Sequence, residues 1–498
     1  MKTRNLFLSL FAFAAVCACN KETDPVGPEQ LDGETYIAVT IKQPSDASTR
    51  APQDAGFKYG SDAENAVTTA RFILYDSYGK YIIHQDVTIS TWTDAATDPA
   101  GNVETTSNAV LVLDEGLSAP RYMIAVLNYP QNAGGVPIDY TVDMTAFYNV
   151  NGDFLTGCTV SGTFIMTNSV SSACKATVIP ADKIFTEKSQ ATQAGNAVDV
   201  YVERVVARVD VKENATVAQH GENISYDGTL IDVEPEILGY TLANTTQKSN
   251  LIKNIEGITM GWSWDEPANF RSYWANSVAG INVNPSYEAI TNANAASVYC
   301  QENTNGTDTP STMLLVKARI VKSGESEGLD MIKYLGNYYS EDGFKTYVVN
   351  NILNTCKHDG DVAYAKTDLV IKKAESPAKP WEVVVKLTDV AASYGGVTGD
   401  PTTLLEGMSS IWRWTGGAAY FFTPVKHYGE DGSGNNLNGI VRNHVYDMTV
   451  NSVTGLGTPV VDVELPIDPE KPVDAKYSIG AEVNILSWKV VSQTVDLN

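Results

Sequence analysis

Apolar residues recur in this chain with a period of two, in short runs bounded by turn formers, and that pattern favours strands over helices. Ile37, Val39 and Ile41 alternate with Ala38 and Thr40. Val200 and Val202, and then Val205, Ala207, Val209 and Val211, alternate with polar or charged neighbours. A period of two places every second side chain on one face of a half-buried sheet. Further strand-like runs lie at 70–75, 109–113, 122–127, 237–242, 313–320, 381–387, 420–424 and 445–453. One segment departs from the pattern. Ser340 is placed to cap a helix in which Phe344, Tyr347, Val348 and Ile352 share a face, which predicts one short helix over 341–355.

The start of the chain reads as an export signal. Lys2 and Arg4 precede an apolar run from Leu6 to Val16, followed by Cys17-Ala18-Cys19. That run is too short to span a bilayer as a helix. A basic start, an apolar core and small residues before a cysteine predict a lipoprotein signal over 1–19, with Cys19 as the acyl acceptor. Cys17 is the rival acceptor, but Ala18 directly before Cys19 suits the small-residue requirement better. Residues 20–34 are rich in Pro, Gly and acids and read as a tether. Asn20 to Pro25 resembles the acidic sorting tag of Bacteroidales-type surface lipoproteins, which implies an outer-membrane precursor displayed at the cell surface and held only by its lipid.

The formal charge of −24 argues against nucleic acid and against adhesion to anionic lipid, both of which need Lys and Arg patches. Residues 1–50 hold five basic and six acidic side chains, so the remainder keeps a net charge of −23.

No catalytic constellation stands out. Gly324-Glu325-Ser326-Glu327-Gly328 has the G-x-S-x-G spacing, but two glutamates beside the serine would oppose an oxyanion. His84, His220, His358, His427 and His444 form no metal-binding pair, and neither metal nor cofactor is expected. Asp431 to Asn436 lacks the terminal glutamate of a calcium loop and reads as a hairpin tip. Trp262, Trp264, Trp274, Trp412 and Trp414 are candidates for a sugar-stacking platform, although aromatics sharing a sheet face are more often core. Cys158, Cys174, Cys300 and Cys356 remain beyond the signal. A Cys158–Cys174 staple and four separately buried thiols are both open readings.

The end of the chain is unusually apolar. Pro466, Pro469 and Pro472 mark an extended spacer, and behind it come Val483, Ile485, Trp488, Val490, Val491, Val495 and Leu497. So apolar a strand must be buried somewhere, and the spacer allows that place to be another molecule.

Four segments carry a resemblance: 238–246 (LGYTLANTT), 271–275 (RSYWA), 332–339 (IKYLGNYY) and 441–446 (VRNHVY). With Val202 to Val209, these resemble the fimbrillins of Bacteroidales-type pili, in particular the Mfa-type stalk subunit. The resemblance implies an all-β chain of two transthyretin-like β-sandwich domains, with the one short helix in the second. The expected division is signal 1–19, tether and removable first strand 20–50, domains at 51–212 and 213–463, and spacer with donor strand at 464–498. It further implies that an arginine-specific protease cuts between Arg50 and Ala51. The strand bearing Ile37, Val39 and Ile41 then leaves, and a neighbouring subunit's C-terminal segment fills its place. Partners would be identical or related pilin subunits, the protease, and host-surface or bacterial ligands, with no enzymatic activity. Two rivals share the exported β-sandwich form: a surface glycan-binding lipoprotein, which needs an exposed aromatic platform, and a tip adhesin of the same pilus, which needs no donor strand.

Overall fold

The computed structural model describes residues 29–43, 60–89, 93–94, 105–156, 158, 163–169, 175–256, 275–278, 282–291, 297–304, 311–375, 380–430, 436–467, 478–487 and 490–495. The chain is mainly β, with a few short helices.

The first part of the chain builds one nine-stranded sheet. Its strands are β1 (Thr35–Gln43), β2 (Thr69–Tyr75), β3 (Tyr81–Thr88), β4 (Thr93–Asp94), β5 (Thr105–Leu113), β6 (Tyr122–Leu127), β7 (Met166–Asn168), β8 (Thr177–Val178) and β9 (Val198–Arg204). The order is β3-β2-β6-β7-β9-β1-β5-β4, with β8 paired to β6. The sheet curls so that both halves face one core, in which Ile37, Val39, Phe72, Leu111, Met123 and Val200 pack. The side-chain amide of Gln85 on β3 hydrogen-bonds both backbone groups of Val112 on β5 and so ties the two halves across their open side.

Val205 is the crossing point between sheets. The run Val198 to Val211, expected as a single strand closing the first unit near 212, divides there: β10 (Val206–His220) belongs to the second set of sheets. The reason is visible in the alternation, which slips by one residue between Val202 and Val205. A slip of one residue turns the apolar set to the other face.

The second set comprises β10 to β22: β11 (Glu222–Tyr226), β12 (Thr229–Ala243), β13 (Ser297–Gln301), β14 (Met313–Lys322), β15 (Met331–Tyr334), β16 (Asn337–Tyr339), β17 (Trp412–Trp414), β18 (Ala418–Pro424), β19 (His444–Thr454), β20 (Thr458–Pro459), β21 (Ser478–Ser487) and β22 (Val490–Val495). A five-stranded sheet, β13-β10-β19-β21-β22, packs against an eight-stranded one, β17-β15-β16-β11-β12-β14-β18-β20. Val209, Leu242, Val316, Phe421, Tyr446 and Met448 form the core between them. In both units the opening strand runs parallel to a late strand of its unit: β1 to β9 and β10 to β19.

The helix expected at 341–355 forms over Glu341–Tyr347 and continues as a wider turn over Val348–Ile352. Ser340 Oγ accepts the Gly343 N–H at 2.9 Å. A Cβ at Gly343 would lie 1.9 Å from Asp227 Oδ1, so a larger residue there would have to push that carboxylate aside. The expectation of a single helix needs correction. Asp389–Ala392 and Pro401–Glu406 are also helical, capped by Thr388 and Asp400 respectively. Asp400-Pro401, a cap followed by a proline at the first helical position, was a legible start signal. The first unit has short helices at Asp62–Asn65, Met144–Phe147 and Lys188–Ala191.

Candidate functional site

β1 lies between two long neighbours. It pairs antiparallel with β5 from Thr35↔Leu113 to Gln43↔Thr105, and parallel with β9 from Val39↔Val198 to Lys42↔Tyr201. Ile37, Val39 and Ile41 are fully buried. Tyr36 exchanges both backbone hydrogen bonds with Phe185, at 2.7 and 3.0 Å. Burial of three such side chains at ~1.5–3 kcal/mol each contributes roughly 5–9 kcal/mol before ordering entropy. Removing β1 would therefore open a slot with apolar walls and two unpaired strand edges. Cys19, Arg50 and Ala51 lie outside the described residues.

The C-terminal segment is placed differently from the expectation that it lacks a site in its own fold. β21 pairs antiparallel with β19, from His444↔Ser487 to Thr454↔Ser478, and β22 turns back onto β21. The segment bearing Val483, Ile485, Val490, Val491 and Val495 thus forms a hairpin within this chain, at one end of the five-stranded sheet. The physical cause is an open edge. β19 is covered by β10 on one side only, and its other row of backbone groups needs a partner. Trp488 and Leu497 lie outside the described residues.

Buried charges join the two units. Glu64, 1 % exposed, receives Arg208 Nη1 at 2.8 and 2.7 Å and Tyr299 Oη at 3.0 Å. Burial works to raise the Glu64 carboxyl, but Arg208, the Ser61 N–H and Arg204 outweigh it and hold it below the ordinary glutamate value. Arg208 also binds Asp210, and Arg204 Nε donates to the Glu64 carbonyl at 2.9 Å. Beside this lie two fully buried ion pairs, Lys253–Glu203 and Arg442–Glu302, each at 3.2 Å. Burial pushes the Glu203 carboxyl up against the pull of Lys253 and Arg442. Arg442 further donates to the carbonyls of Leu251 and Asn250. Leu251 and Ile252 in turn pack into an apolar cluster with Tyr75, Ile124 and Phe147 of the first unit. None of these charged residues stands out in the sequence as a site. One signal was nevertheless available: Ser61 with Glu64 three positions on is a capping-box spacing, and both of its hydrogen bonds form.

The remaining candidates fall to the core or the surface. Trp414 is fully buried and donates Nε1–H to the Leu456 carbonyl at 3.0 Å. Trp412 is half-buried, with Lys333 Nζ 4.8 Å from its ring centre. Trp262, Trp264 and Trp274 lie outside the described residues, as do Asp431 to Asn435. Ser326 sits in an exposed turn opened by Gly324 at φ +84°. Cys158, Cys300 and Cys356 are buried free thiols, and Cys174, the other half of the staple reading, lies outside the described residues. Burial pushes the Cys158 thiol up to about 11 and the Cys300 thiol up to about 12. Among the described residues no cluster of three or more His, Cys, Asp or Glu could hold a metal. No described helix is long and apolar enough to cross a membrane.

Residues 413–494 match the family described as "Major fimbrial subunit protein type IV, Fimbrillin, C-terminal". That span runs from β17 through β19 to the C-terminal hairpin. No curated protein matches the chain. Among solved structures, a fimbrilin (fimA) from Porphyromonas gingivalis W83 is 13% identical, covering 92% of this chain and 98% of its own, with a TM-score of 0.38. The tip fimbrial protein Mfa3 from Porphyromonas gingivalis, with C-terminal truncation, is 14% identical, covering 90% and 99%, at 0.33. A fimbrial assembly protein from Parabacteroides distasonis ATCC 8503 is 12% identical, covering 58% and 86%, at 0.31. Through the match over residues 413–494, the chain resembles the fimbrillins.

Proposed function

We propose that this chain is a structural fimbrial subunit that serves adhesion from the cell surface and has no catalytic role. It is exported as a lipoprotein acylated on Cys19, cut between Arg50 and Ala51, and polymerised with identical or related subunits by strand exchange. The observation that carries this reading is the placement of β1. It is fully integrated between β5 and β9, yet it stands at the start of the fold, upstream of Arg50. A cut there would leave β1 bound by non-covalent contacts alone. Any strand with matching apolar residues could then take its position, with ladder hydrogen bonds fixing the register.

The hairpin β21–β22 supplies the donor in this reading. Because it pairs in its own chain, it must first leave β19, and the exchange replaces one ladder with another. Trp414 in the core removes one member of the aromatic platform that glycan binding would need. Arg50→Ala tests the proposal. The variant should remain a lipid-bound monomer after exposure to an arginine-specific protease, while the native chain should give heat-resistant ladders on gels. Equal ladders from both would refute cleavage at Arg50 as the trigger.

A further inference from the structure

We propose that Gln85 is a positioning residue for strand exchange, holding the far wall of the slot in place while β1 is absent. The inference rests on the exchange reading given above. It starts from the outer sides of the two walls. β9 pairs with β7 through Val202 to Arg204, directly after the stretch that meets β1. Beyond β1, the β5 ladder reaches β4 through Thr105 and Thr106. From Asn108 to Leu113 no strand lies beside the outer edge of β5 among the described residues.

Gln85 supplies the missing contact. The Val112 N–H donates to Gln85 Oε1 at 3.1 Å, and Gln85 Nε2 donates back to the Val112 carbonyl. One side-chain amide thus reproduces a two-bond strand bridge. The backbone alternation agrees. Tyr36 stands opposite Val112 and turns its own N–H and carbonyl away from β5, toward Phe185. Tyr36↔Val112 is therefore a non-hydrogen-bonded pair, and the Val112 groups face outward to where Gln85 meets them. Gln85 is itself held in register on β3, opposite Phe72 of β2.

While β1 is in place, a nine-residue ladder fixes β5 and the Gln85 contact is one tie among many. Once β1 leaves, that contact and the short β4 pairing stay on the β5 backbone, together with the packing of Ala109, Leu111 and Leu113 in the core. A wall that swings inward closes the slot to an incoming strand.

The test uses the full chain and Gln85→Leu, each uncut and each cut after Arg50, with a labelled peptide of residues 35–43 as the probe. Uncut Gln85→Leu should melt within about 2 °C of the native chain, as expected for a part-exposed substitution. After cutting, it should take up the peptide at least ~10-fold more slowly, since two hydrogen bonds to the wall are gone. Gln85→Glu keeps the acceptor for the Val112 N–H and loses the donor, so its uptake should fall between the two. Equal uptake by native and Gln85→Leu protein would overturn the role. So would a melting loss in the uncut variant as large as in the cut one, because that marks a general stabilising residue. A native chain that is cut at Arg50 but takes up no peptide would refute exchange itself, and the role of Gln85 with it.

Discussion

Glu64 is shielded from water yet favours its charged form, because Arg208 and Tyr299 reach it from the second unit. Its value in the fold lies below the ordinary 4.5. Such a carboxylate contributes stability that is fully present above its unfolded value and is lost as pH falls through its folded value. Glu64→Gln should cost about 3–5 kcal/mol at neutral pH, since it leaves Arg208 buried without its main partner. The gap to the native chain should shrink in acid. Urea unfolding at neutral and acid pH checks both parts, and a gap that widened in acid would reverse the sign. Cys158 and Cys300 make a second residue-scale prediction. With thiols pushed to about 11 and about 12, neither should react with iodoacetamide in the folded protein at neutral pH, and both should react in urea. Mass spectrometry of the intact protein reads the count. Trp414→Ala should cost about 3–5 kcal/mol, because it empties a core site and leaves the Leu456 carbonyl without its donor.

At the scale of elements, much of the strand set was legible because half-buried strands announce themselves by alternation. Ile37, Val39 and Ile41 alternate in sequence and are fully buried in the structure. The helix from Glu341 was legible for the same kind of reason, a cap followed by a periodic apolar face. The sheet change at Val205 was available as a slip in phase, but a slip within one polar-apolar run looks like a bulge until its partners are known. The placement of β21 on β19 was not legible. An apolar strand behind a proline spacer has the same sequence whether it pairs in its own chain or in another. The Gln85 contact was equally hidden, since a lone glutamine on a strand carries no sign of what its amide meets. A prediction at this scale follows from the hairpin. Deleting residues 483–498 removes the second half of β21 and all of β22, so it should bare part of the β19 edge while leaving the first sheet folded. After cutting at Arg50, the truncated chain should still accept a donor strand but offer none, and so cap chains of the native protein. Normal ladders from the truncated chain alone would show that the donor lies elsewhere.

For the whole molecule, charge and burial point to different roles. The chain beyond residue 50 carries a net charge of −23, so like subunits would repel one another in the proposed fibre. Burial of strand side chains, which salt does not screen, would have to hold the joints together. Fibres should therefore persist in about 1 M salt, where surface attractions are screened within a few ångströms. Dissolution under those conditions, followed by light scattering, would assign the joint to charge. Between the two units run the buried ion pairs Glu64–Arg208 and Lys253–Glu203. The central claim, that β1 is removed and replaced, is tested most directly by N-terminal sequencing of subunits recovered from heat-resistant polymers sheared from cells. The expected first residue is Ala51, with residues 35–43 missing from the polymer. Polymers whose subunits still carried β1 on a lipid-modified Cys19 would contradict the account.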